Sequence, residues 1–259
     1  MQLQDSLPDL QKRGLGLAAI SYDSSETLKA FAERRGITFP LLSDAGSATI
    51  KSYGLLNTEA TGPMAGIPYP GTFIVDARGM VVSRSFEAQY QERATAGNLT
   101  ARAGAAPRDG RQIETPHLTI TTGASDGAVA PGSRFSLVID VVPKVNMHVY
   151  APQQKDYIPI SLTLESNDAI KAHAPTFPAP ERFFFKPLKE TQLVYSRRFR
   201  IVQDLTVALT PGLRERAKAD DATLTIDGVL RYQACDDMIC YVPKDVPVSW
   251  SVRLKGLER

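Results

Sequence analysis

Over the first 90 residues, hydrophobic positions recur alternately at helical and strand spacing. Leu3, Leu7 and Leu10 share a helical face, with Pro8 either at a first turn or forcing a break. Residues 14–21 read as a buried strand. Asp23, Ser24 and Ser25 then offer oxygens to cap a helix over residues 26–35, where Leu28, Phe31 and Ala32 share a face and Gly36 stands at the end. A strand over residues 39–43, a helix over 44–53 and a strand over 72–76 follow, and Ala77-Arg78-Gly79 turns the last into a hairpin with residues 80–86. Alternating strands and helices predict an α/β layer.

From about Gln89 to Thr115 the large apolar side chains nearly vanish, which reads as a helix tail and a linker. Beyond it the period becomes two. Phe135, Leu137, Ile139 and Val141 alternate with Ser136, Val138 and Asp140, and Val246, Val248, Trp250, Val252 and Leu254 repeat the pattern. Further strands are expected over 118–122, 147–150, 160–165, 195–202 and 224–232. Seven or more strands in one stretch predict an immunoglobulin-like β-sandwich. The expected organisation is α/β then all-β: residues 1–93, a linker over 94–113, and a sandwich over 114–259.

Composition narrows the function classes. With 43% hydrophobic and 22% charged residues among 259, the chain is an ordinary globular one. Thirty basic against 28 acidic residues leave a net charge of +2 without a basic stripe, so nucleic acid is not an expected partner. The longest apolar runs fall far short of the roughly 20 residues that cross a bilayer, so no membrane span is expected. The first ten residues have no signal-peptide pattern.

The most specific feature is Tyr232-Gln-Ala-Cys235-Asp-Asp-Met-Ile-Cys240-Tyr-Val-Pro243, which holds both cysteines of the chain. They border a short turn between strand-like runs, so their Cα atoms can come within the roughly 4.4–6.8 Å of a disulfide. Closing so small a loop contributes only about 2 kcal/mol of chain entropy, which makes the bridge an inefficient staple. A close pair flanked by Tyr232 and Tyr241 suits thiol–disulfide exchange, while a structural bridge or two buried thiols stay open readings. The three histidines, His117, His148 and His173, lack ligand spacing, so no metal is expected. His148 either faces the cysteines or fills the core.

These residues, late in a β-sandwich and with Met147-His-Val-Tyr-Ala-Pro152 upstream, resemble the N-terminal periplasmic domain of the thiol:disulfide interchange protein DsbD over roughly residues 114–259. The resemblance implies an immunoglobulin-like sandwich whose cysteines, here Cys235 and Cys240, take electrons from a membrane-embedded relay and pass them to thioredoxin-like partners. It implies an extracytoplasmic location and no cofactor. It also implies an aromatic cap loop over the pair, near Phe183-Phe-Phe-Lys-Pro-Leu188, with Phe185 or Leu188 as the cap; core packing is the competing reading for two of the three phenylalanines. The family's transmembrane and thioredoxin-like domains have no counterpart before Arg259, so the electron donor is expected to be another protein.

The front segment is similar to the redoxin type of peroxiredoxin, the alkyl hydroperoxide reductase and thiol-specific antioxidant group. Ala19-Ile-Ser-Tyr-Asp-Ser24, Gly36-Ile-Thr-Phe-Pro-Leu-Leu-Ser-Asp44 and Pro70-Gly-Thr-Phe-Ile-Val-Asp76 carry the likeness over residues 1–90. It implies a partial thioredoxin-like fold and a cis-proline at Pro70, an ordinary trans turn proline being the alternative. Residues 1–234 contain no cysteine, so no peroxidase activity is expected from this chain. An N-terminally clipped redoxin is expected, with a bare sheet edge and a poorly covered apolar face. The function expected is electron transfer between protein dithiols by a thiol–disulfide oxidoreductase. The alternatives are a peroxiredoxin-like antioxidant enzyme whose cysteine lies upstream, and a non-catalytic binding module with a structural disulfide.

Overall fold

Strict two-residue alternation survives in two neighbouring strands, Thr223–Tyr232 and Lys244–Leu254, which pair antiparallel from Thr223 opposite Arg253 to Tyr232 opposite Lys244. Leu224, Ile226, Leu230, Val246, Val248, Trp250, Val252 and Leu254 all face inward and are buried. The coordinates are those of a computed structural model and describe residues 2–12, 14–62, 65–86, 93–102, 104, 107–186 and 188–256. The chain divides into two compact units, Met1–Thr100 and Ala101–Arg259.

In the second unit these two strands form one sheet with Ser161–Leu164 on one side and Ala128–Val129, paired in parallel, on the other. Gly228 lies where this sheet leaves no room, since a Cβ there would stand 2.7 Å from the Thr163 carbonyl oxygen. The facing sheet runs Ile170–Ala172, Phe199–Val207, Ser133–Pro143, Leu118–Ala124, Arg108–Glu114, with every neighbour antiparallel. Leu118, Ile120, Phe135, Leu137, Ile139 and Leu205 of this sheet meet the inward residues of the first in one apolar core. This is a β-sandwich, held by the apolar surface its inner faces remove from water.

The structure revises several sequence expectations here. Ser136, Val138 and Asp140 are buried although alternation turns them away from the main core. Asp140 is compensated by Arg200, which donates at 2.8 and 2.7 Å, and by Arg198 at 3.2 Å. The single strand expected over 195–202 is two, Glu190–Tyr195 and Phe199–Val207. Tyr195 pairs with Val149 and Phe199 with Val141, so the chain changes sheets between them while the two rings stack at 4.3 Å. The stretch read as linker contains a helix, Ala96–Arg102, capped by Thr95 Oγ1, and the edge strand Arg108–Glu114. Its beginning, residues 89–92, and residues 103, 105 and 106 within it lie outside the described residues.

In the first unit the helix Gln2–Lys12 runs through Pro8 rather than breaking, buries Leu7 and Leu10, and is tied by the Gln4 side chain to Thr38. Ser24 caps the helix Ser25–Arg35 by accepting from Thr27 N, and Gly36, at φ 62°, ends it. The helix expected over 44–53 is shorter, Ala48–Ser52, because Asp44 stays outside it as a carboxylate acceptor for Ala48 N and Ile50 N. Ala19–Ser21 pairs in parallel with Leu41–Ser43, and Gly71–Val75 pairs antiparallel with Val81–Phe86 around the Asp76 turn. Ile20, Leu42 and Val75 are close to half exposed, at 47%, 48% and 45%. No cis peptide is present among the described residues, so Pro70 is a trans proline leading into the Gly71–Val75 strand. Among the described residues no helix is long and apolar enough to cross a membrane.

Candidate functional site

A third sheet of the second unit carries the cysteines. Its order is Glu181–Phe185, Glu190–Tyr195, His148–Tyr150, Ala234–Cys235, each pair antiparallel. Cys235 ends the last of these strands and is bonded to Cys240, with Cα atoms 4.0 Å apart. The two differ in access: Cys235 is 1% exposed, whereas Cys240 lies at the surface.

Asp236 shapes the loop between them. Its Oδ1 accepts from the amides of Met238 and Ile239, both at 2.8 Å, and its Oδ2 accepts from the Tyr241 hydroxyl at 2.8 Å. Those donors hold its carboxyl below the ordinary range, the Ile239 amide most of all. The Tyr241 ring rests on His117 at 4.5 Å, anchoring the far side of the loop. With the Asp236 carboxylate turned to its own loop, the loop presents Met238, Ile239 and Val242 to solvent beside Cys240, at 77%, 55% and 82% exposure.

Beneath the disulfide lies Tyr150, fully buried, with its hydroxyl 3.2 Å from Sγ of Cys235 and 3.2 Å from Sγ of Cys240. An oxidised sulfur has no proton to give, so the hydroxyl is the donor. Tyr150 stacks on Tyr157 at 4.3 Å and 23°, and the Tyr157 hydroxyl donates to Glu190 Oε1, which also accepts from Gln192 Nε2 at 2.7 Å. These two bonds lower the Glu190 pKa. Burial raises the Tyr150 phenol far above its usual value, and the phenol of Tyr157 and the carboxylate of Glu190 add to the rise. Tyr150 therefore stays protonated and acts as a hydrogen-bond donor, not as an acid.

His148 stands opposite Cys235 in the strand register and is 3% exposed, its ring 4.7 Å from that of Phe183. Burial lowers its pKa against the opposing pull of Asp237 and Asp236, which leaves it neutral. The histidine both fills an apolar space and lines the site, so the two sequence readings of it coincide.

The remaining expected residues are placed differently. Tyr232 points into the sandwich core and donates to Thr115 Oγ1 at 2.8 Å, because two-residue alternation sends it away from the face of Cys235. Phe185 is buried and Leu188 is 62% exposed, yet the phenylalanine packed against the cluster of Tyr150, Val194 and Cys235 is Phe183. Alternation puts Phe183 and Phe185 on one face with Phe184 exposed on the other, and register sets Phe183 across from Gln192. Sequence reasoning missed Tyr150 as the neighbour of both sulfurs, and Tyr157 and Glu190 behind it. Tyr150 carried one signal, since it lies two residues from His148 in Met147-His-Val-Tyr-Ala-Pro152 and hence on the same side of its strand. Among the described residues no group of three or more His, Cys, Asp or Glu side chains is arranged to hold a metal.

One sulfur at the surface, one beneath, and a fixed hydroxyl shared between them define a thiol–disulfide site at the edge of a β-sandwich. The family comparisons give the particulars. Residues 122–249 match the family of the thiol:disulfide interchange protein DsbD, N-terminal, and residues 1–84 match the AhpC/TSA family. The front match covers a stretch without cysteine. Alkyl hydroperoxide reductase E of Mycobacterium tuberculosis is 39% identical over 82 residues, which are 31% of this chain and 50% of that protein. The chain thus spans about half the length of the curated relatives it matches. Among solved structures, the N-terminal periplasmic domain of ScsB from Proteus mirabilis is similar at 13% identity and TM-score 0.37, covering 55% of this chain and 49% of that one. The reduced DsbD N-terminal domain of Neisseria meningitidis is similar at 18% identity and TM-score 0.30, covering 46% and 78%. The fold class is accordingly a redoxin-type α/β unit followed by a DsbD-type sandwich, and the family matches imply thiol–disulfide chemistry.

Proposed function

We propose that the second unit transfers electrons between protein dithiols through Cys235 and Cys240, in an extracytoplasmic compartment. The observation that carries the reading is the unequal access of the two sulfurs: Cys240 is exposed and Cys235 is buried. An incoming thiolate of a dithiol donor attacks Sγ of Cys240, and the Cys235–Cys240 bond breaks with its electron pair on the Cys235 sulfur. The donor's second thiolate then attacks the donor sulfur in the mixed disulfide and releases Cys240. The donor leaves as a disulfide, and two protons from water complete the two thiols. Tyr150 supports the first step by meeting the Cys235 sulfur with a hydrogen bond as charge arrives on it.

The apolar rim of Met238, Ile239 and Val242 around Cys240 suits a thioredoxin-like or membrane-embedded dithiol partner, whose docking would remove that surface from water. The Cys235–Cys240 disulfide and the match to the DsbD N-terminal family both favour an oxidising location.

Trapping separates the sulfurs. Cys235→Ser, which leaves Cys240 accessible, is expected to accumulate a mixed disulfide with an activated thioredoxin-like protein at least tenfold faster than Cys240→Ser does. Mixed disulfides from neither variant, or equal rates from both, would overturn this mechanism.

A further inference from the structure

We propose that Tyr157 is a positioning residue for this exchange: its ring, stacked on Tyr150 and fastened at its hydroxyl to Glu190, holds the Tyr150 hydroxyl on the Cys235 and Cys240 sulfurs as their bond breaks. The inference rests on the exchange reaction proposed above and adds a residue that acts through Tyr150.

The loop that carries Tyr157 is built around Tyr150. The chain leaves the strand His148–Tyr150 and returns at Ile160, whose amide donates to the Tyr150 carbonyl oxygen at 2.8 Å. Between them, Gln154 Oε1 accepts from the Leu193 amide at 2.6 Å, Asp156 turns the chain at φ 65°, and the Ile158 amide donates to Gln233 Oε1 at 3.3 Å. Gln233 Nε2 donates in turn to the Tyr241 carbonyl oxygen at 3.1 Å, which ties this loop to the segment just past Cys240. These bonds set the Tyr157 ring against the Tyr150 ring, with centroids 4.3 Å apart and planes 23° from parallel. The Tyr157 hydroxyl donates to Glu190 Oε1, and Gln192 Nε2 holds that carboxylate at 2.7 Å. The ring is thereby fixed from its backbone and from its tip.

Tyr150 needs such a support. It forms a small cluster with Val194 and Cys235, against which Tyr157 and Phe183 pack, and this cluster is separate from the main sandwich core. His148 meets the Tyr150 ring edge-on at 6.0 Å, whereas Tyr157 covers a ring face. Sulfur is a weak acceptor, and a hydrogen bond to it counts only while it is well aligned. The one hydroxyl, 3.2 Å from each of two sulfurs, must meet the charge arriving on Cys235 without swinging away. A ring clamped by stacking supplies that donor already oriented before the bond breaks.

The test uses dithiothreitol as the dithiol donor in place of a partner protein. One of its thiolates attacks the disulfide, the other resolves the mixed disulfide, and it leaves as a cyclic disulfide while Cys235 and Cys240 become thiols. The second-order rate of this reduction is measured at fixed pH in the full chain. Tyr157→Leu is expected to slow it roughly three- to tenfold, Tyr150→Phe at least as much, and the double variant no more than Tyr150→Phe alone. Tyr157→Phe, which keeps the stack and loses the bond to Glu190, is expected to recover to about twofold below wild type, and Glu190→Ala to match it. A residue that merely packs gives the opposite sign, since loosening the site speeds attack on the disulfide. An unchanged or faster rate in Tyr157→Leu, or its full effect on top of Tyr150→Phe, overturns the proposal. Should Tyr157→Leu fail to fold, Tyr157→Phe and Glu190→Ala carry the test, and wild-type rates in both overturn it. A failure to trap partners would remove the exchange reading while leaving these rates interpretable.

Discussion

His148 and Cys235 face each other across an antiparallel strand pair, and the histidine is buried there with Nε2 unbonded. Its pKa is depressed below the usual 6.5 by burial. A histidine that resists protonation in the folded state costs nothing above its ordinary pKa. The cost grows as pH falls below that value and levels off beneath the depressed one.

The urea midpoint is therefore expected to fall between pH 7 and pH 5, and to fall less in His148→Phe. His117, lowered by burial and by Lys244 and Lys144, acts in the same direction and keeps a residual slope. Asp236 and Glu190 are lowered from 3.8 and 4.5, so the stability they confer is present above those values and is lost only at lower pH. Identical pH slopes in wild type and His148→Phe would contradict this assignment.

Reducing the disulfide tests its structural share. The loop it closes is short, with a sequence separation of 5, so its contribution to stability is about 2 kcal/mol. The main sandwich core contains neither cysteine. Urea unfolding with and without dithiothreitol is expected to show a folded, modestly weakened reduced protein. Global unfolding on reduction would favour the structural-disulfide reading instead.

Gly228 offers a check on the sheet that backs the site. An added Cβ would meet the Thr163 carbonyl oxygen at 2.7 Å and Leu164 Cδ2 at 3.0 Å. Backbone cannot yield as a side-chain tip does, so Gly228→Ala is expected to cost roughly 1–3 kcal/mol in urea unfolding. A neutral result would mean that the two strands stand further apart.

The sequence disclosed most where one face of an element meets water. Lys244–Leu254 alternates because its outer face is solvated, and its buried set matches the pattern at every position from Val246 to Leu254. Ser133–Pro143 is buried on both faces, so Ser136 and Asp140 give a misleading polar signal that Asp204 and Arg200 resolve through hydrogen bonds. Arg108–Glu114 escaped notice because an exposed edge strand needs few apolar side chains. The cysteine pair was legible from spacing alone. Tyr150 lies 85 and 90 residues away from the two sulfurs and reaches them only through strand register.

The unequal burial of the two sulfurs also constrains turnover. With Cys235 buried above Tyr150, electrons that arrive at Cys240 in the proposed exchange would also leave by Cys240. In that reaction donor and acceptor compete for one doorway, and steady-state rates are expected to follow the parallel double-reciprocal lines of a ping-pong cycle.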